Sequence, residues 1–164
     1  MVATTADGLW YEVVPGPKGA ETILLSAGLG GSASFWAPQM DVLKQCFNVL
    51  LYDHRGTGRS IRTLTEPHAV DAMAADMRSV MDAAKVKQAH VMGHAAGGLA
   101  ALALALRSPK RVGKLVVVNG WSRPDPHIAR CFEARIALLV LHVVRRITIE
   151  AHEQHAGIEP ELLE

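Results

Sequence analysis

From residue 22 to residue 118, short apolar runs alternate with stretches of helical periodicity, and that alternation admits few folds. The runs Thr22–Ser26, Asn48–Tyr52, Ala89–Met92 and Leu115–Val118 are almost continuously apolar, the pattern of strands covered on both faces. Between them, Trp36–Cys46 places Trp36, Met40, Leu43 and the following Phe47 on one side of a helix. Val70–Lys85 does the same with Val70, Met73, Met77, Val80 and Met81. Ala96–Leu106 is rich in alanine and leucine and must stop before Pro109. Strand, helix, strand in this order predicts an α/β fold, a mostly parallel sheet with helices on both faces and right-handed crossovers. Trp10–Val14 predicts one earlier strand, closed by the turn at Pro15-Gly16-Pro17.

The chain has 164 residues, 49% of them apolar, enough for the core of one domain. A net charge of +1 favours neither nucleic acid nor a charged membrane surface, and 5% aromatic residues argue against a base-stacking face. Cys46 and Cys131 are isolated and fit neither a metal knuckle nor a disulfide framework. They are expected as buried thiols in a reducing cytoplasm. Met1–Asp7 lacks the charged-then-apolar pattern of a signal peptide, and the run Ile136–Val144, which includes His142, is too short to span a bilayer. His152 and His155 miss the spacing of a zinc helix, so no metal is expected there.

Three segments could carry chemistry. Gly93-His94-Ala95-Ala96-Gly97 joins a strand to a helix, with Ala95 where a G-x-S-x-G motif carries its serine. Alanine has no lone pair to attack with, so no covalent intermediate can form on it. The turn should force Ala95 to positive φ, and Gly93 and Gly97 are expected where a Cβ would not fit. The plain alternative is a strand-to-helix turn with a packing role only. The second segment, Ser26-Ala27-Gly28-Leu29-Gly30-Gly31-Ser32, follows a strand. The amides of Leu29 and Ala96 could form a two-donor oxyanion hole; its glycine spacing does not match a phosphate loop, and a merely flexible loop is the alternative. The third segment, Asp53–Ser60, is expected to hold its own loop by side-chain-to-backbone hydrogen bonds. His94 could orient a water or a carbonyl, but filling space beside the sheet is the favoured reading.

Ser26–Trp36 (SAGLGGSASFW), Tyr52–Gly58 (YDHRGTG), Val91–Gly97 (VMGHAAG) and Val118–Arg135 (VNGWSRPDPHIARCFEAR) together resemble the α/β-hydrolase superfamily. They are most similar to a branch of it that also carries alanine at the elbow. The resemblance covers residues 20 to 138 and implies an α/β-hydrolase fold and no cofactor. It further implies a hydrolase of a small C–N-bonded molecule, a carbamate or an aminoacrylate, in the breakdown of uracil nitrogen. It adds Gly28, Gly30 and Trp121 as substrate contacts. Such hydrolases continue through a helical cap and further strands that present the triad's acid and histidine. Nothing after Arg135 matches them. Residues 1–138 are therefore expected to be the N-terminal part of a hydrolase domain lacking the cap and last strands, and 139–164 a divergent helical tail, as in a truncated or frame-shifted copy. Three readings follow: water addition in an oxyanion-hole pocket without serine, a non-catalytic small-molecule-binding module, or an inactive fragment. In the last, the open edge of Leu115–Val118 invites homodimerisation or aggregation.

Overall fold

In the computed structural model, residues 1–64, 69–121, 125–138 and 140–141 are described. The apolar runs become the parallel strands β3 (Thr22–Ser26), β4 (Asn48–Tyr52), β5 (Ala89–His94) and β6 (Val112–Val118). Two further strands, β1 (Val2–Thr4) and β2 (Trp10–Val14), join antiparallel, giving the order β1-β2-β4-β3-β5-β6. The helices are α1 (Ala37–Leu43), α2 (Val70–Ala83) and α3 (Ala96–Arg107). The expected α/β architecture is thus the observed one. β1 escaped the sequence reading because three residues carry too little alternation to distinguish a strand from a polar terminus.

Alternation along the strands divides the core in two. Leu24, Leu50 and Val91 face α2 and α3, joining Met73, Met77, Val80, Met81, Ala100, Ala101 and Leu104. Ile23, Leu25, Val49 and Leu51 face the opposite side, against Trp36, Met40, Leu43 and Phe47. Successive residues of one strand therefore serve different helices, which is why these strands contain almost no polar positions.

The chain moves from β3 outward to β4, then returns past β3 to β5. The direction of winding reverses between β3 and β5, and the crevice at the carboxyl ends of such a pair is where open α/β sheets place their ligands. Ser26 and His94 end these two strands, so the glycine loop and the alanine turn emerge side by side.

β6 carries a bulge. Ala89 pairs with Val112 but Val91 pairs with Leu115, so β6 spends one more residue than β5. The amide of Lys114, displaced by the extra residue, donates to His90 Nδ1 at 2.9 Å. Val116, Val117 and Val118 of this edge strand are all exposed.

The two cysteines correct the expectation of buried thiols: both are exposed. Cys46 lies in the turn after α1, off the face that Trp36, Met40, Leu43 and Phe47 turn inward. Cys131 lies among the helical residues 126–138, which are exposed apart from the half-buried Ile128. The chain divides into two compact units, Met1–Ser122 and Arg123–Glu164. In the second, the Asp125 carboxylate accepts from the Ile128 amide at 2.8 Å and caps the helix that follows. Residue 139 and residues 142–164, with His152 and His155, lie outside the described residues.

Leu50 is fully buried at the sheet centre and Val42 is exposed. Leu50→Ala is expected to lower unfolding free energy by about 3 kcal/mol in urea melts, and Val42→Ala by no more than about 0.5 kcal/mol.

Candidate active site

Ala95 separates β5 from α3 with φ 49° and ψ −118°. Alanine pays about 1–3 kcal/mol for such a backbone, so the surroundings must impose it. They do so from both sides. The Ala95 amide donates to the Val118 carbonyl at 2.9 Å, and the Ala95 carbonyl accepts from the amides of Gly98 at 2.9 Å and Leu99 at 3.2 Å. A Cβ on Gly97 would collide with the carbonyl oxygens of Ser26 and Ala27, and one on Gly93 with the backbone of Gly97 and Gly98. Both glycines are needed for close approach, as the sequence implied. Ala96 opens α3, where an amide has no acceptor within the helix and the helix dipole is positive.

The loop after β3 presses on this turn. A Cβ on Gly28 would stand 3.5 Å from the Ala95 Cβ and 3.1 Å from His94 Nδ1. Gly30, at φ 73°, reverses the chain, and the Gly31 amide donates to the Gly28 carbonyl at 2.9 Å. Leu29 therefore sits at an exposed tip, with its side chain 67% accessible. Below the loop, the hydroxyls of Ser26 and Tyr52 share a buried hydrogen bond of 2.8 Å. Burial pushes the Tyr52 phenol up, against the opposing hydrogen bond from Ser26, and keeps it protonated.

His94 stacks on Phe35, ring centroids 4.8 Å apart. Its Nε2 is 3.4 Å from Asn119 Nδ2, and its Nδ1 is buried without a partner among the described residues. The ring fills the space between Phe35 and Gly28, which is the packing role favoured from sequence. Phe35 and Asn119 were not found by sequence reasoning. Asn119 has φ 51°, a conformation asparagine tolerates better than most residues, so its place just after a strand was the available signal. The structure thus brings Gly28, His94 and Ala95 together. Leu29 and Gly30 occupy the tip of the same loop, and the half-buried Trp121 follows the end of β6.

Asp53 organises the third segment. Its fully buried carboxylate accepts from the amides of Ala33 and Arg59, both at 2.8 Å, and from the Arg59 guanidinium at 2.8 and 3.0 Å. That guanidinium lies 3.1 Å over the Trp10 ring. Ser60 Oγ donates to the Asp53 carbonyl at 2.6 Å and accepts from the Trp10 amide at 2.9 Å. Burial pushes the Asp53 carboxyl up, but the bonds from Arg59 and the two amides outweigh it and hold it below the ordinary aspartate range. Arg55 pairs with Asp76 of α2 at 2.8 Å and with Asp7 at 3.1 Å. The segment holds its own loop and pins it to α2 and to the strand before it, as its charged residues implied.

Among the described residues no group of three or more His, Cys, Asp or Glu side chains could hold a metal ion. No described helix is long and apolar enough to cross a membrane.

A parallel sheet with helices on both faces and a left-handed strand-to-helix turn at its switch point define the α/β-hydrolase class, and the profile of the α/β-hydrolase fold family matches residues 21–162. The chain belongs to that family. Among curated relatives it is 64% identical over 140 residues to a Caulobacter protein provisionally named the carbamate hydrolase RutD, covering 85% of this chain and 52% of the relative. A protein of the same name from Variovorax paradoxus is 52% identical, covering 80% of this chain and 49% of its own. The chain spans about half the length of the curated relatives it matches. Among solved structures, a hydrolase from Pseudomonas aeruginosa is 31% identical with a TM-score of 0.72, over 85% of this chain and 52% of that one. The enol-lactonase from Burkholderia xenovorans is 30% identical with a TM-score of 0.70, over 95% and 64%.

Two outcomes are expected. Gly97→Ala should destabilise by about 2–3 kcal/mol in denaturant melts, because backbone and not a side-chain tip stands in the way. Because the folded pKa of Asp53 is depressed, its contribution is complete above the unfolded value and is lost as the pH falls below about 4. Asp53→Asn should flatten that acid limb in melts run from pH 6 to pH 2.5.

Proposed function

We propose that this chain forms the binding and oxyanion-stabilising half of a RutD-type hydrolase acting on a small C–N-bonded molecule, a carbamate or aminoacrylate, in uracil nitrogen breakdown. The observation that carries this reading is that the elbow keeps its strained backbone at φ 49° although the residue there has no nucleophile to present. A strained turn with nothing to display serves what the turn also creates, an unpaired amide at the start of α3.

In this mechanism water adds to the carbamate carbonyl carbon, or to the imine carbon formed when solvent protonates the aminoacrylate enamine at the carbon not bearing nitrogen, and loses its proton to solvent. Negative charge on the tetrahedral oxygen is met by the amides of Leu29 and Ala96. Collapse expels ammonia, protonated by solvent. Gly28 and Gly30 let the substrate approach the loop backbone, and Trp121 closes the side beyond β6. Oxyanion donors and binding alone leave about 10³–10⁴-fold over water in triad enzymes. A substrate that decomposes unaided needs no more than that. The ligand is a small molecule, with neither nucleic acid nor membrane as partner, and the setting is a reducing cytoplasm.

The chain's missing serine favours a second reading, a pocket that binds such molecules without turning them over. The decay of carbamate and of enzymatically generated aminoacrylate, followed by ammonia release, separates the two. Acceleration of at least tenfold supports the hydrolase. Unchanged decay with saturable binding in calorimetry replaces it with the binding module. Ala95→Ser should fold with less than about 1 kcal/mol lost and show no burst with an activated ester. A burst would mean that a general base stands within reach of position 95 and would overturn the serine-free mechanism.

A further inference from the structure

A cavity of about 310 Å³ lies between the Leu29-Gly30 tip, residues 54–57 of the Asp53–Ser60 segment, Leu64 and Met73 of α2. Leu29 and Gly30 of the loop after β3 line it, whereas His94 and Ala95 do not. Its volume is at the small end of the range for ligand pockets. It is too large for one or two waters, whose share of liquid volume is about 30 Å³ each.

The walls state what could enter. Leu29, Leu64 and Met73 supply apolar surface. Leu64 is held down on Gly56, where an added Cβ would meet its Cδ2 at 3.1 Å. Met73 is 6% exposed and unbranched, able to adjust to a ligand. Three polar side chains also reach the cavity, and each is committed to the protein. His54 Nε2 donates to the Ala27 carbonyl at 2.8 Å. Arg55 is taken by Asp76 and Asp7. Thr57 Oγ1 donates to the His54 carbonyl at 2.9 Å or the Gly31 carbonyl at 3.0 Å. A charged guest would surrender its hydration for walls in which, among the described residues, the one full charge, Arg55, is already paired, a net loss. An uncharged apolar guest surrenders little and covers three hydrophobic side chains.

We propose that this cavity is a binding site for a small, uncharged, mostly apolar molecule of benzene to indole size. The proposal goes beyond the function above: the cavity shares Leu29 and Gly30 with the hydrolytic reading, but binding there needs no turnover at the elbow. The ligand's contact with Leu29 would, in addition, hold the loop whose amide the hydrolytic reading uses.

The test uses the full chain labelled with ¹³C at the methionine methyls, the Met73 signal being assigned by its loss in Met73→Leu. Indole and benzyl alcohol are titrated against their charged counterparts benzoate and benzylammonium. A saturable shift of the Met73 methyl is expected with the neutral probes, with a dissociation constant of about 1 mM or below, and binding at least tenfold weaker for the charged ones. Leu64→Asp, at a half-exposed rim position, should weaken indole binding at least fivefold, while Leu64→Met should preserve it. Three results would each overturn the proposal: no saturable Met73 shift up to about 10 mM indole, benzoate binding as tightly as benzyl alcohol, or Leu64→Asp binding indole like the unmodified chain. None of these readouts depends on carbamate decay, so failure here and failure of the hydrolytic reading are told apart.

Discussion

The architecture of the site depends on one close approach, between Gly97 at the start of α3 and the carbonyl oxygens of Ser26 and Ala27 at the end of β3. No side chain separates them. That contact brings the helix start against the strand end, forces the tight turn at Ala95, and sets Gly28 against the Ala95 methyl. A methyl group at position 97 would push α3 from the sheet, and the turn, the loop and the crevice would go with it.

Elsewhere the protein spends its polar side chains on the backbone. Asp53 accepts two amides as well as Arg59, and Ser60 bridges the Asp53 carbonyl and the Trp10 amide. Lys114, left over by the β6 bulge, is answered by a histidine ring. These groups lie at the ends of strands or, for Lys114, at a bulge, where ladder partners run out and side chains must replace them. At the elbow an amide opens α3 and a buried ring nitrogen, His94 Nδ1, has no partner among the described residues; Trp36 Nε1 and Arg111 Nε are likewise without one. Polar groups left open at a switch point between parallel strands can be completed by a ligand, and that is the physical basis for treating the crevice as a binding site.

Much of this was legible in the chain itself. Thr22–Ser26 and Asn48–Tyr52 fall where their apolar runs begin and end, because a strand buried on both faces tolerates few polar positions; Trp10–Val14, part-buried and carrying Glu12, was bounded by the turn at Pro15-Gly16-Pro17. The left-handed backbone at Ala95 and the crowding at Gly93 and Gly97 followed from a strand turning into a helix within one residue. The cysteines were misplaced because preference for the interior is a property of the residue type, whereas Cys46 falls in the turn after α1 and Cys131 on a helix whose residues are exposed apart from the half-buried Ile128. Phe35 and Asn119 were missed because their partner, His94, lies 59 and 25 positions away, as the subtractions 94 − 35 and 119 − 94 give.

The sequence alone determined the layered α/β class, the order of strands and helices, and an elbow that cannot perform covalent attack, because periodicity and side-chain chemistry are local properties. The tertiary structure decided which loops meet. It set Gly28 against Ala95, committed Arg55 to Asp76 and Asp7, and left a largely apolar cavity beside Leu29. Those relations arise only when the chain winds out to β4 and back past β3 to β5, bringing residues distant in sequence to one end of the sheet.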